Sequence, residues 1–149
     1  MTDLPRRIPT RDGEITLVTD RDVFLYDNFK FAAVRRAGNV LYVSGVIAGP
    51  ERGEPRDVDG FKAQLRRAFG TLKATLAAAG AGFDRVAMIN SFHVWTSPNF
   101  EGDARTQLTT FIAVKDEFMP PPHPAWTAVG TTGLAIDTGV VEIQMIAHL

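Results

Sequence analysis

The chain has 149 residues, with 45% apolar and 22% charged side chains and a formal net charge of −1. This composition is typical of one globular domain and argues against a nucleic-acid partner, because affinity for phosphates rests on clustered Lys and Arg. The absence of cysteine excludes disulfides, thiolate catalysis and Cys-ligated metal sites. No apolar run approaches the ~20 residues of a membrane span, and charges stand where a signal peptide has its apolar core. We therefore expect a cytoplasmic protein with no membrane partner.

The first 28 residues are polar and irregular in pattern, and we interpret them as an N-terminal extension in which "EITLV" is the one candidate edge strand. Two runs follow, "FKFAAVRR" and "NVLYVSGVI", that are rich in aromatic and β-branched residues. Ala37-Gly38-Asn39 lies between them and predicts a hairpin turn. Residues 40–47 are nearly continuous in apolar character, so we expect this strand to be covered on both faces.

Two helices are predicted in the middle of the chain. Over residues 57–79 apolar side chains recur at steps of three and four, which indicates an amphipathic helix; they are Phe61, Leu65, Phe69, Leu72 and Leu76. Asp57 or Asp59 can cap its start, and Gly80 can supply its left-handed end. A second helix is predicted over residues 103–119, and the three prolines that follow directly end it. Its inward face is predicted to consist of Leu108, Phe111, Ile112 and Phe118.

Three further strands are predicted, "DRVAMINSFHVWTS" before the second helix and "AWTAVGT" and "GVVEIQMIAHL" after it. The order β-β-α-β-α-β-β indicates an α+β fold, with both helices on one face of a single mixed sheet. The other face carries apolar and aromatic side chains and needs a cover. We therefore predict that a second copy of the chain supplies it, in a homo-oligomer.

Glu142 is the strongest candidate for a chemical role, because it stands between apolar residues in the middle of the last strand. A carboxylate in such surroundings either finds strong partners or has its pKa raised by desolvation, as a general acid or base requires. The alternative is that Glu142 faces water from an edge strand. Gln144 projects from the same face as Glu142. Trp126 and Ala128 share a face of the preceding strand, where the indole is either core or the wall of a pocket.

Other candidates are weaker. Ser44 and Gly45 end a buried strand and could hold an anion, but no Gly-x-Ser-x-Gly sequence surrounds the serine, so we do not expect a nucleophile. The histidines have no metal-ligand spacing, and we expect neither a metal nor a cofactor; they are His93, His123 and His148. An aromatic cluster leads into the first strand and either lines a pocket or fixes the N-terminal segment; it consists of Tyr26, Phe29 and Phe31.

Several pieces of the chain, in this order, resemble the Rid family of imine and enamine deaminases, also named YjgF/YER057c/UK114 or endoribonuclease L-PSP. They are "NVLYVSGVIAGP", "LAAAGAGFDRV", "NSFHVW", "VKDEFM", "PAWTAVG" and "VEIQMIA". The resemblance covers residues 29–149, which we interpret as a single Rid-like domain. It implies a chorismate-mutase-like α+β fold and a homotrimer with a central β-barrel. It also implies clefts between subunits that bind a small molecule.

In the family's deaminases an arginine in a "P-A-R-[ST]" run holds the substrate carboxylate, and a glutamate of the last strand positions the attacking water. Glu142 matches that glutamate, and Ser44 matches the serine of the family's "SG" strand. Trp126 stands where the arginine would be. Ala128 and Phe31 stand where many members have a cysteine and a tyrosine.

This departure predicts a different substrate, because an indole has no charge and only one N–H donor. Small 2-imino acids should be poor substrates, and a flat conjugated or cationic compound fits an indole better. The first hypothesis is an enamine or imine deaminase that uses Glu142, with backbone amides near Gly45 or Ala128 binding a carboxylate, for example that of an aminomuconate-type enamine. The alternative is a non-catalytic small-molecule-binding or regulatory homotrimer. The neutral net charge and the lack of a histidine pair count against a nuclease.

Overall fold

The computed structural model describes residues 3–149, which form an α+β fold. Its strands are β1 (Arg6–Thr10), β2 (Gly13–Leu17), β3 (Val34–Ala37), β4 (Val40–Ala48), β5 (Val86–His93), β6 (Ala125–Gly130) and β7 (Val141–His148). Its helices are α1 (Asp20–Phe29), α2 (Val58–Ala78) and α3 (Ala104–Phe118), and a 3-10 turn at Phe83–Arg85 precedes β5. The strands form one mixed sheet in the order β1-β2-β3-β4-β7-β5-β6, which confirms the predicted class.

The N-terminal part of the chain is more ordered than the sequence suggests. β1, β2 and β3 are consecutive antiparallel strands, with Ile15 of β2 opposite Ile8 on one side and Arg35 on the other. Residues 20–29 form α1, so the strand expected in "FKFAAVRR" begins only at Val34. None of the residues of α1 is buried, so its sequence has no apolar periodicity from which a helix could be predicted.

Helix α1 is instead defined by its ends. The Thr19 hydroxyl accepts a hydrogen bond from the Asp22 amide at 3.2 Å, and the Asp22 carboxylate accepts one from the Thr19 amide at 2.9 Å. This reciprocal pair is a capping box, which satisfies two backbone donors that the first turn leaves free. Lys30 ends the helix in the left-handed region, at φ 62°.

Replacing Thr19 by alanine should lower the free energy of unfolding by about 1 kcal/mol, because an N-cap hydroxyl contributes roughly that much. Urea titration at fixed protein concentration measures the change. Thr19→Ser keeps the hydroxyl and should retain most of the native stability. An equal loss in both variants would contradict the assignment of the stability to the cap.

The chain divides into two compact units. The first comprises residues through Ser44 with Leu72–Met88 and Met145–Leu149, and the second comprises Gly45–Thr71 with Ile89–Gln144. The first unit has its own core of fully buried apolar side chains; among them are Leu17, Leu41, Leu72, Leu76 and Met145. Within this unit Gly38, at φ 57°, makes the predicted turn between β3 and β4.

In the second unit, apolar side chains of α2 and α3 pack together. The Phe69 ring lies 5.3 Å from that of Phe118 and 5.9 Å from that of Phe111, measured between centroids. Arg66 joins the same helices from outside, with two hydrogen bonds of 2.8 and 2.7 Å to the Glu117 carboxylate. Both helices begin and end within one residue of the predicted ranges, and Asp57 caps α2 through the Gly60 amide. The prediction that Ile112 faces inward on α3 is wrong, because this side chain is 41% exposed. No helix within residues 3–149 combines the length and apolar character needed to cross a membrane.

Candidate functional site

The second unit contains a cavity of about 410 Å³ beside β4, β5 and β7. Side chains of alternating strand positions form one wall, and the segment between β6 and β7 forms another. On β7 the buried residues Val141 and Ile143 alternate with half-buried Glu142 and Gln144, as a strand with one covered face requires. The lining residues are Gly45, Phe92, Thr131, Gly133, Leu134, Ala135, Glu142 and Gln144.

Glu142 is the one acidic side chain of this lining. Within residues 3–149 its carboxylate makes no hydrogen bond and no ion pair. Partial burial removes water from the carboxylate without offering a partner, and this desolvation raises the pKa of Glu142 above that of an exposed glutamate. The sequence left open whether Glu142 finds strong partners, is desolvated without them or faces water. The structure shows the second environment, a partly buried carboxylate without a partner in the described residues. Such a carboxylate is suited to accepting a proton.

Gly45 determines where the Glu142 side chain lies. A Cβ atom placed on Gly45 would fall 2.6 Å from Cδ and 2.7 Å from Cγ of Glu142. The glutamate therefore lies directly against the backbone of β4, in space that only glycine leaves open. A glycine inside an apolar strand is the sequence signal of such a close approach. The sequence indicated Gly45 as an anion contact, and the structure adds this steric role.

Gln144 shares the cavity with Glu142, as the two-residue period of the strand predicts. Its Oε1 accepts a hydrogen bond of 3.3 Å from Nδ2 of Asn90, a β5 residue. The Gln144 amide N–H groups remain as donors. Asn90 was not among the sequence-predicted site residues, nor was Phe92, which lines the cavity. Both side chains lie on the less buried face of β5, because they alternate with the buried residues Ile89, Ser91 and His93.

The Trp126 side chain packs on the face of the sheet that α3 covers. Its Nε1 donates a 2.8 Å hydrogen bond to the Ser91 hydroxyl, and its ring stacks on Phe111 with centroids 5.5 Å apart. The Lys115 ammonium lies 5.9 Å from the same ring. Ser91 and Phe92 are neighbours on β5 and point to opposite faces. Within one chain, Trp126 and Glu142 therefore lie on opposite faces of the sheet, and a hollow holding both would need a second copy of the chain.

A buried chain of hydrogen bonds orients the Trp126 indole. The Gln107 amide nitrogen donates to the Val94 carbonyl at 3.0 Å, so Gln107 Oε1 accepts from His93 Nδ1 at 3.1 Å. His93 Nε2 is then the acceptor for the Ser91 hydroxyl, at 2.7 Å. Burial lowers the pKa of His93, which agrees with a neutral ring. The hydrogen bond to Ser91 therefore holds the indole in place. Ser91 and His93 are fully buried, so neither side chain can contact a substrate.

The remaining predicted site residues lie outside this cavity lining. Tyr26 lies half-buried on α1, and Phe31 is exposed between α1 and β3. The Ser44 hydroxyl donates its proton to the Ala32 carbonyl at 2.5 Å and therefore has no further proton to donate to an anion. These three belong to the first unit, whereas Ala128 is exposed on β6 in the second. Within residues 3–149 no three His, Asp or Glu side chains are grouped as a metal site.

Comparison with known proteins gives a consistent picture. The family model described as Endoribonuclease L-PSP matches residues 25–149. RutC family protein YjgH of Escherichia coli (strain K12) is 42% identical over 127 residues, which cover 84% of this chain and 87% of that protein. The solved structure named Protein YJGH is 40% identical, with a TM-score of 0.65 over 84% of this chain and 88% of its own.

Other solved structures extend the comparison. RidA from an Antarctic Psychrobacter species is 30% identical, with a TM-score of 0.63 over 80% of this chain and 88% of its own. A YjgF/YER057c/UK114 family member from Mycobacterium tuberculosis is 18% identical, with a TM-score of 0.67 over 84% of this chain and 92% of its own, and supports the fold alone. The family model and the sequence identity together show that the chain belongs to the endoribonuclease L-PSP family, also called the Rid or YjgF/YER057c/UK114 family.

Proposed function

We propose that this chain is a hydrolytic enamine and imine deaminase in which Glu142 is the general base. The observation that carries the proposal is the unpaired, half-buried Glu142 carboxylate in a cavity, at the position of the family's glutamate. A carboxylate with a raised pKa loses its proton closer to neutral pH and is a stronger base than an exposed one. We further propose that the site is a cleft between subunits, with Trp126 of a second copy as part of its wall.

The reaction adds water to a C=N bond. An enamine first gains a proton at carbon and loses one from nitrogen, which gives the imine. Glu142 accepts a proton from water while the water oxygen bonds to the imine carbon, and the proton then passes to the nitrogen. The hydroxyl proton of this carbinolamine then moves to the nitrogen as the C–N bond breaks, so that imine and water give a carbonyl compound and ammonia. Glu142 ends in its starting state.

Ammonia release tests the proposal directly. Imines and enamines are generated in the assay by oxidases or by amino-acid dehydratases, and release is compared with the spontaneous rate in the same buffer. We expect clear acceleration for at least one unhindered, planar substrate. Binding of such compounds without any acceleration would instead support the alternative, a regulatory or carrier protein of the same fold.

We also propose a homotrimer. The support is aromatic surface that stays open in each unit: Phe92 lines the cavity of the second unit, and Tyr42 of β4, in the first unit, is 50% exposed. Exposed aromatic side chains on a sheet favour a protein partner. Analytical ultracentrifugation should give about three times the 16.3 kDa chain mass. A sedimenting mass of one chain would rule the trimer out.

Replacing Gly45 by alanine should lower the deamination rate by about 10²-fold, because a misplacement of about 1 Å can cost that much. The new Cβ would displace the Glu142 side chain from its place against β4. Gly70→Ala is the matched control, since nothing lies within 4 Å of a Cβ there, and alanine in a helix should slightly stabilise α2. If Gly45→Ala kept native rates in a folded protein, the contact with Gly45 would have no part in positioning Glu142.

A further inference from the structure

We propose that the Glu142 cavity selects imines that carry no carboxylate: neutral imines or their iminium cations with an apolar substituent. The inference rests on the proposed function, and it names the substrate class. It departs from the dicarboxylates that an aminomuconate-type enamine would represent.

The charge of the cavity is the first argument. Its lining within residues 3–149 includes Glu142 and no Lys, Arg or His. A substrate carboxylate would therefore meet a like charge without any cation to compensate it, and like charges placed together in a shielded site repel strongly. An iminium cation would instead pair with Glu142, which has no other partner in the described part of the chain.

Trp126, at the position where the family's deaminases have a substrate-binding arginine, does not supply the missing positive charge. Trp126 offers a single N–H, and Ser91 already accepts it. The nearby Lys115 lies over the indole on the helix side, whereas Glu142 is on the other face of the sheet. Neither residue can hold a carboxylate beside Glu142 of the same chain. A second copy that brings its own Trp126 to the cleft would bring an indole whose N–H is already bonded and a Lys115 that is only 7% exposed.

The rest of the lining indicates the other parts of the ligand. Phe92 and Leu134 offer apolar surface, which fits a hydrocarbon or aromatic substituent. Within residues 3–149 the Gln144 oxygen accepts from Asn90, while its amide nitrogen donates no hydrogen bond and can bind a ligand. A ligand with a cationic nitrogen, an apolar body and at most one neutral acceptor would satisfy this set.

The substrate class places the protein after a particular kind of reaction. Imines without a carboxylate arise when a primary amine loses two electrons and two protons to the flavin of a separate amine oxidase. Dehydration of an amino acid instead keeps the carboxylate. The product here would be an aldehyde or ketone plus ammonia, so an enzyme that oxidises or reduces a carbonyl group should consume it.

Two planar probes of equal size test the ligand class by calorimetric titration. Benzamidinium should bind about tenfold or more tightly than benzoate, because charge pairing favours one and repulsion opposes the other. Glu142→Gln should remove most of this preference. Tighter binding of benzoate to the native protein, or a preference that Glu142→Gln leaves unchanged, would overturn the inference.

Two substrates with the same side chain separate this inference from the proposed function. An amine oxidase acting on 2-phenylethylamine and an amino-acid oxidase acting on phenylalanine give imines that differ in the carboxylate. We expect ammonia release from the amine-derived imine to be accelerated about tenfold or more over that from the other. Faster hydrolysis of the 2-imino acid would overturn the inference and leave the deaminase. Benzamidinium binding through Glu142 without hydrolysis of either imine would overturn the deaminase and support the ligand class.

Discussion

Replacing Glu142 by glutamine should lower the accelerated release of ammonia by about 10² to 10⁴-fold, the usual contribution of a general base. Glutamine keeps the shape of the side chain and its contact with Gly45, but it cannot take a proton from water. The loss should appear mainly in kcat, because the proton transfer belongs to the transition state. Glu101→Gln, at an exposed position, is the matched control and should keep the native rate.

The pH dependence of the same reaction gives a second measurement. Glu142 acts as a base only when it is ionised, and burial raises its pKa. The rate in the native protein should therefore rise with pH through a pKa higher than that of an exposed glutamate. The residual rate of Glu142→Gln should lack this step. A native pH profile without such a step, together with full activity in the variant, would exclude Glu142 as the base.

Stability should change in the opposite direction to activity. With a raised pKa in the folded state, Glu142 binds more protons when folded than when unfolded, so the free energy of unfolding falls as pH rises from the unfolded pKa through the folded one. Below both pKa values the carboxyl is neutral in both states, and the penalty disappears. Glu142→Gln should therefore be more stable than the native protein at neutral pH, and the difference should vanish in acid. Urea titrations at several pH values measure it.

The elements that sequence periodicity could predict are those with one buried face. α2 and α3 bury a stripe of aromatic and aliphatic residues, β7 alternates strictly between buried and less buried positions, and β5 does so from Ile89 to His93. The sequence pattern of these elements therefore reflects which face is covered. α1 buries no residue, and its Thr19–Asp22 capping box was the only local signal. β1 and β2 are short strands that pair with each other across a two-residue turn, whereas β2 also pairs with β3, which lies beyond α1 in the sequence.

The candidate site divides in the same way. The shared face of Glu142 and Gln144 follows from the two-residue period of a strand, and the family motif is the basis for predicting that Trp126 stands at the position of an arginine. The contact of Gly45 with Glu142 could not be predicted from the sequence, because the register of β4 against β7 is a tertiary property. The hydrogen-bonded chain from Trp126 to His93 and Gln107 joins residues on β6, β5 and α3, and no spacing in the sequence encodes it.

Replacing Phe111 by alanine should have the largest effect on stability in the second unit, a loss of about 3–5 kcal/mol in the free energy of unfolding. Phe111 is fully buried, and its ring meets Phe69, His93 and Trp126 at centroid distances of 5.9, 5.2 and 5.5 Å. Its removal would leave a cavity where these rings converge.

The Phe111 variant also tests how the indole is held. Without the stacked ring, the Trp126 Nε1 proton should exchange with solvent faster in NMR spectra, although its acceptor Ser91 is unchanged. Ile112→Ala on the same helix, at a position 41% exposed, is the matched control and should cost less than about 1 kcal/mol. Urea titration at one protein concentration compares them, because dissociation of an oligomer would otherwise add to the measured stability. Equal losses in the two variants would mean that the cluster around Phe111 does not dominate the core of this unit. An unchanged exchange rate of the Trp126 Nε1 proton would mean that the indole is held by its hydrogen bond alone.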